Sequence, residues 1–356
     1  MATYYVDPDA GSDGAAGTAF GTAWATTQKA LDTVAAGDEV RLCKSATETI
    51  SAIIDLDTTS GTNDAKITIV SYAADGSAPS DGYTISTSAS IGAIVEHAPS
   101  GYSYYRWIGV TFDANDSATN CYLNDGADGS GESGFLRCIF KDAGEDCFAI
   151  RGNTWHLHGC EITGAARYGI THTGANRGVI RIQDCKVHHN ANTGWKCDKS
   201  TCIIRRCLFY RNGGWGVDCG SSGSQNTFIS NTFYGNTSGG LKVMDAANRN
   251  QWAVSGNTFV ANGTYGYNQG DTDRSPIMHS NNHHHGNTSG GSLPSGGLGP
   301  DLITGDPLFA STTDGSEDFT PAADSPLVGA GLAGQDIGAR SAAPGGGGGG
   351  TVGYAL

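Results

Sequence analysis

Cys185-Lys186-Val187-His188-His189-Asn190-Ala191-Asn192-Thr193-Gly194-Trp195-Lys196-Cys197 is answered 22 residues later by Cys207-Leu208-Phe209-Tyr210-Arg211-Asn212-Gly213-Gly214-Trp215-Gly216-Val217-Asp218-Cys219. Cysteine falls on cysteine at both ends, Asn190 on Asn212, and Gly194 on Gly216. The frame extends in both directions. Cys138, Cys160, Cys185, Cys207, Asn231 and Asn257 form an anchor column, each just past the middle of a short apolar segment. Two residues on stand Phe140, Ile162, Val187, Phe209, Phe233 and Phe259. Nine residues on comes a second column, Cys147, Gly169, Gly194, Gly216, Gly240 and Gly266. The offset of nine is constant, whereas successive anchors are 22, 25, 22, 24 and 26 residues apart. All slack therefore falls after the second column. A fixed core with variable length on one side is the pattern of stacked coils.

Composition supports short strands joined by tight turns. Only 16% of the residues are charged, and 54 of the 356 are glycine. Long helices are disfavoured by that content. No run of eighteen apolar residues is present, so membrane insertion is not expected. The net charge of −14 argues against a nucleic-acid partner, which is bound by cationic surfaces. No basic, then apolar, then small-residue signal precedes the strand-like Thr3-Tyr4-Tyr5-Val6. That leads to the expectation of a cytosolic product, or one released by lysis or exported by another route.

Strand residues alternate in direction. Phe148, Ile170, Trp195, Val217, Leu241 and Tyr267 are all apolar or aromatic, so this row is expected to face inward. Ala149, Thr171, Lys196, Asp218, Lys242 and Asn268 then face outward, and Ile150, His172, Cys197, Cys219, Val243 and Gln269 inward again. Five residues past the anchors stand Asn190, Asn212, Asn236 and Asn262. Amides stacked at a bend can bond to one another and to backbone groups the bend leaves open. The anchor cysteines read as a ladder of buried thiols, since rungs lie about 4.8 Å apart and a disulfide needs Cβ atoms nearer ~3.8 Å.

Three domains of organisation are expected: a cap over 1–45, a solenoid over 46–290, and an irregular segment with a glycine-rich tail over 291–356. One helix is expected over 24–34, capped by Thr26 or Thr27 and ended by Gly37. Earlier coils are read at Ile50 to Ile54, Ile67 to Tyr72, Tyr83 to Ile85 and Ile91 to Glu96. Val110 and Phe112 match the later columns. The last coil, Ile277 to His285, is read with Asn281 in the anchor column and His283 two on. Gly345 to Gly350 is a hexaglycine linker, and its tail is expected to dock on a neighbouring chain.

With these rows in place, the chain resembles the right-handed parallel β-helix, or pectate-lyase-like, superfamily. The opening Tyr4-Tyr5-Val6-Asp7, Gly11-Ser12-Asp13-Gly14 and Ala23-Trp24-Ala25-Thr26 is similar to the entry segment of many members. Asp306-Pro307-Leu308-Phe309, Ser325-Pro326 and Asp336-Ile337-Gly338-Ala339 are similar to their closing segment. The resemblance implies an all-β fold, a single right-handed β-helix with a short N-terminal capping helix. On activity it is nearly silent. The glycine tail and low charge resemble phage-encoded members most, such as tailspikes. That implies a virion surface protein (spike, fibre or capsid decoration) displaying a rigid rod that contacts host glycans. Its partners would be other virion proteins and further copies of itself, a trimer being one arrangement. An extracellular adhesin is a further reading.

Chemistry is sought on the outward row. Lys196, Asp218 and Lys242 occupy three successive rungs, with Asp198 two residues past Lys196 and Arg151 in the equivalent place two rungs earlier. The plain reading is a cross-strand ion ladder on a solvated sheet. The same five residues are also the candidate carbohydrate contacts. A sharper reading makes Lys196, Asp218 and Lys242 the centre of a polysaccharide lyase on an acidic glycan. Lys196 is then the base, and the cations neutralise the uronate. Lys196 resembles the lysine of calcium-dependent β-helix lyases, for which Asp142, Glu145 and Asp146 would be the oxygen ligands of Ca2+. Outside the lyase reading no cofactor and no metal is expected. A hydrolase reading would pair Asp198 with Asp218. The histidines at 156, 158, 188, 189 and 283–285 read as surface or capping groups.

Overall fold

A computed structural model describes residues 1–56, 61–97, 104–124, 131–152, 154–172, 178–197, 201–219, 226–243, 252–269, 277–289 and 302–342. Each coil contributes one strand to each of three parallel sheets. The first sheet has 11 strands, from Thr3–Val6 to Ile277–Ser280. The second has 11, from Glu48–Ile50 to Leu302–Thr304, and the third has 9, from Ile54–Asp55 to Tyr265–Gln269. Register is continuous: Phe140 pairs with Ile162, Ile162 with Val187, and Val187 with Phe209.

The middle of each apolar segment is a corner rather than continuous strand. The residue before each anchor takes left-handed backbone: Arg137, Asp184, Arg206 and Ser230 lie at φ 52, 56, 51 and 53°. That bend ends the strand of the first sheet and starts the strand of the second. Repeated on every rung, it turns one apolar segment into two walls of the same core. The length variation falls between the third sheet and the next strand of the first, as between Cys219 and Asn226 or Val243 and Trp252.

The inward rows are inside. Phe148, Ile170, Trp195, Val217, Leu241 and Tyr267 are fully buried, and so are the anchor cysteines. Aromatic rings stack rung on rung, Phe209 to Phe233 at 5.3 Å and Phe233 to Phe259 at 5.0 Å. All ten cysteines are buried free thiols. Gln269 is the one member of these rows whose side chain lies outside the described residues.

Two asparagine ladders line the corners. Asn190 Nδ2 donates to Asn212 Oδ1 at 2.9 Å, Asn212 to Asn236 at 2.9 Å, and Asn236 to Asn262 at 3.0 Å. The chain of amides ends on Asn287. From Asn212 onward each amide also reaches a carbonyl, as Asn236 Nδ2 reaches Phe209 O at 2.9 Å. The second ladder continues the cysteine column through Asn231, Asn257 and Asn282. The last rung therefore needs a one-residue correction. Asn281 is the left-handed corner at φ 50°, Asn282 is the anchor, and His284 stacks on Phe259 in place of the expected His283.

At the N-terminal end, the expected helix is only five residues, Thr27–Leu31, with the Thr26 side chain accepting from Lys29 N. It stops at Asp32 rather than Gly37, and Glu48 pins its first turn, where the Thr27 backbone N–H and hydroxyl both donate to that buried carboxylate. The expected strand 50–54 is two, Glu48–Ile50 and Ile54–Asp55.

Within 291–356 the described part supplies the final strand of the second sheet and an antiparallel hairpin, Phe309–Ser311 with Asp318–Pro321. The hairpin folds back onto the outside of the second sheet. Phe319 packs 5.1 Å from Tyr210 and 5.2 Å from Tyr234. Gly345 to Gly350 and the rest of the tail lie outside the described residues.

Candidate functional site on the third sheet

The outward row of the third sheet runs Glu96, Leu123, Ala149, Thr171, Lys196, Asp218, Lys242, Asn268 in unbroken pairing. Parallel strands put these side chains about 4.8 Å apart along the solenoid. Three of the residues singled out in the sequence meet here. Lys196 Nζ lies 2.9 Å from Asp218 Oδ2, and Lys242 Nζ lies 3.6 Å from the same oxygen. Arg151 follows the strand Asp146–Ile150, two rungs before Lys196, and is exposed. Asp198 lies outside the described residues.

Both lysines use one carboxylate oxygen, so the other is left over. Asp218 is only 8% exposed, and its Oδ1 is buried with no hydrogen-bond partner. Thr171, 6% exposed and two rungs earlier, has an unpartnered Oγ1 as well. Unmet buried acceptors are uncommon and costly. They are unusual on the outside of a sheet, and a ligand bearing hydroxyl groups could satisfy both.

Trp215 completes the face, and the sequence reading missed it. It precedes the glycine column and is half-exposed. Lys242 Nζ sits 5.9 Å from its ring centroid. On the next rung is Gly239, where a Cβ would stand 2.2 Å from the indole. The glycine is needed because the ring lies across it. The only sequence sign was a tryptophan in a column otherwise read as a turn.

Other candidate sets resolve differently. Arg167 Nε and Nη2 donate to the two Asp146 oxygens at 2.8 and 2.7 Å, and the guanidinium also meets Glu145 at 3.0 Å. Asp142 faces Lys141 at 3.3 Å. Protein cations already hold the carboxylates read as Ca2+ ligands, and their donor set does not fit a calcium site. His189, Asp314 and Glu317 come together with ligand atoms within 4.8 Å. However, Arg211 Nε stands 2.6 Å from Glu317 and 3.6 Å from Asp314. A guanidinium in the middle makes this a clasp for the C-terminal hairpin. The hydrolase pair read in the sequence, Asp198 with Asp218, has Asp198 outside the described residues.

A family model described as a right handed beta helix region matches residues 125–290. That region is a right-handed β-helix by this match, and the three parallel sheets carry the same fold along the chain. No curated protein matches this β-helix in sequence. Among solved structures, pectate lyase Pel9A is similar with a TM-score of 0.67 at 17% identity, over 96% of this chain and 97% of that one. The alginate lyase from Paenibacillus sp. str. FPU-7 is similar with a TM-score of 0.52 at 15% identity, over 78% and 96%. At such identities the likeness is one of fold.

Proposed function

We propose that this β-helix binds an acidic polysaccharide along the outer face of the third sheet. The observation that carries the reading is Asp218, its one oxygen shared by Lys196 and Lys242 and its other buried without a partner beside Trp215. Two ammonium groups supply charge-assisted donors for a carboxylate. The unpartnered oxygen accepts a sugar hydroxyl, and the indole offers its face to the apolar side of a pyranose. The similar folds belong to proteins named for pectate and alginate, both acidic polysaccharides. The test is calorimetric titration with uronate-containing oligosaccharides. Binding that is lost in Trp215→Ala, with the circular dichroism spectrum unchanged, supports the reading. No binding to any acidic glycan overturns it.

The carrier we propose is a virus particle, on which the rod serves as a spike, fibre or decoration, as a homo-oligomer among other virion chains. A polar, low-charge solenoid with its amide ladders closed is suited to that use. Finding the chain repeated symmetrically on purified particles supports it.

A second reading, favoured by the likeness to lyases, is β-elimination with Lys196 as base. The lysine would take the proton next to the uronate carboxylate, the glycosidic oxygen would leave, and a double bond would form. Lys196 is already engaged by Asp218 at 2.9 Å, so binding takes precedence over catalysis. Absorbance from new double bonds, with and without calcium and lost in Lys196→Ala, would reverse that order.

A further inference from the structure

The face around Asp218 has a period of two rungs. In the column two residues before Ile170, Trp195, Val217, Leu241 and Tyr267 stand Tyr168, Thr193, Trp215, Gly239 and Tyr265. Tyr168, Trp215 and Tyr265 are half-exposed rings, and the residues between them are small. The neighbouring outward column alternates in the opposite phase. Thr171, Asp218 and Asn268 are level with the rings, and Lys196 and Lys242 with the small residues. Ring-bearing positions thus recur about 9.6 Å apart along the backbone, twice the rung spacing, and so do the lysine positions.

In the core of the same solenoid Phe209, Phe233 and Phe259 stack on consecutive rungs at 5.3 and 5.0 Å, whereas the outer rings skip a rung. The small residues leave the rings separated, and Gly239 lets the Trp215 indole lie flat where any Cβ would strike it.

We infer that the ligand is an unbranched polysaccharide with a two-sugar repeat, an acidic sugar alternating with a neutral one, lying along the solenoid axis. This rests on the polysaccharide reading above and specifies its substrate class. Two rungs match the advance of two sugars in an extended chain. The sugar stacked on Trp215 meets the unpartnered oxygen of Asp218, which accepts a hydroxyl or amide N–H and repels a carboxylate. The sugars on either side are level with Lys196 and Lys242, which attract one. A uniform polyuronate would place every second carboxylate against Asp218.

The test uses three hexasaccharides of equal length: hyaluronan, with uronate alternating with N-acetylhexosamine; oligogalacturonate, with uronate throughout; and chitohexaose, with none. Calorimetry is expected to give at least tenfold tighter binding for hyaluronan than for either of the others. Lys242→Ala should weaken hyaluronan by a larger factor than it weakens chitohexaose. Asp218→Asn should narrow the gap between hyaluronan and oligogalacturonate. If oligogalacturonate binds as tightly as hyaluronan and Asp218→Asn leaves their ratio unchanged, the two-sugar repeat falls while the polysaccharide site stands. If none of the three binds, both fall.

Discussion

Lys196 and Asp218 pair at 2.9 Å across adjacent rungs, yet the pairing uses only half of the carboxylate. A ladder built solely for stability would close both oxygens, as Arg167 closes both oxygens of Asp146. The other oxygen stays buried without a partner.

Asp218→Asn is therefore expected to be nearly neutral for folding. Asp218 itself is buried, but its lysine partners keep 25% and 26% side-chain exposure, which holds the pairing near the ~0–1 kcal/mol of surface ion pairs, and an amide can still accept from Lys196. Urea unfolding should shift by less than about 1 kcal/mol. A larger loss would assign the cluster a structural role.

Asn236→Ala is expected to be far more damaging. Asn236 Oδ1 accepts both the backbone N–H and the side-chain amide of Asn212, at 3.2 and 2.9 Å, inside a buried corner. Truncation strands two buried donors at about 1–3 kcal/mol each, so a loss of about 3 kcal/mol is predicted. An unchanged urea midpoint would mean that the ladder is ornamental.

Gly216→Ala tests the second column. A Cβ there would stand 2.7 Å from Gly240 O and 2.8 Å from a ring carbon of Phe233. Both neighbours are fixed, one by its strand and one by the stack of phenylalanines. Overpacking of this kind costs about 1–3 kcal/mol or more, visible as a lowered Tm. The same substitution at Gly315, where nothing lies within 4 Å but φ is +75°, should cost only about 1 kcal/mol of backbone strain.

Acid sensitivity is expected from the last rung. His284 is 6% exposed, stacks on Phe259 at 4.8 Å, and has both ring nitrogens unpartnered. Burial pushes its pKa from 6.5 down to about 3, with His279 and His283 adding to the effect. The unfolded chain thus takes up the proton first. The contribution of this group to stability is full above about pH 6.5 and is lost as pH falls towards 3. His284→Phe extends the stack of Phe209, Phe233 and Phe259 and should flatten this part of the pH profile. A profile identical to that of the parent protein would place the acid sensitivity elsewhere.

The sequence by itself determined the solenoid, because a repeat constrains every rung at once. Two columns nine residues apart, with slack on one side only, fix which side chains face inward, and Trp195 and Lys196 follow as neighbours on opposite faces. It also determined that Lys196, Asp218 and Lys242 share one face, since parallel register carries one position to the next. Tertiary structure decided what depends on angles and on distant chain. The left-handed residue at Arg137 or Arg206 is no glycine, so the corner that divides one segment into two strands was not visible in composition. The same blindness displaced the last rung by one residue, from Asn282 to Asn281. The hairpin at Phe319 reaches Tyr210 from more than a hundred residues away, a contact with no local pattern. The role of Trp215 emerged only when its ring was seen lying over Gly239 one rung on. Periodicity places a side chain on a face, but only packing shows which way a large ring turns once it is there.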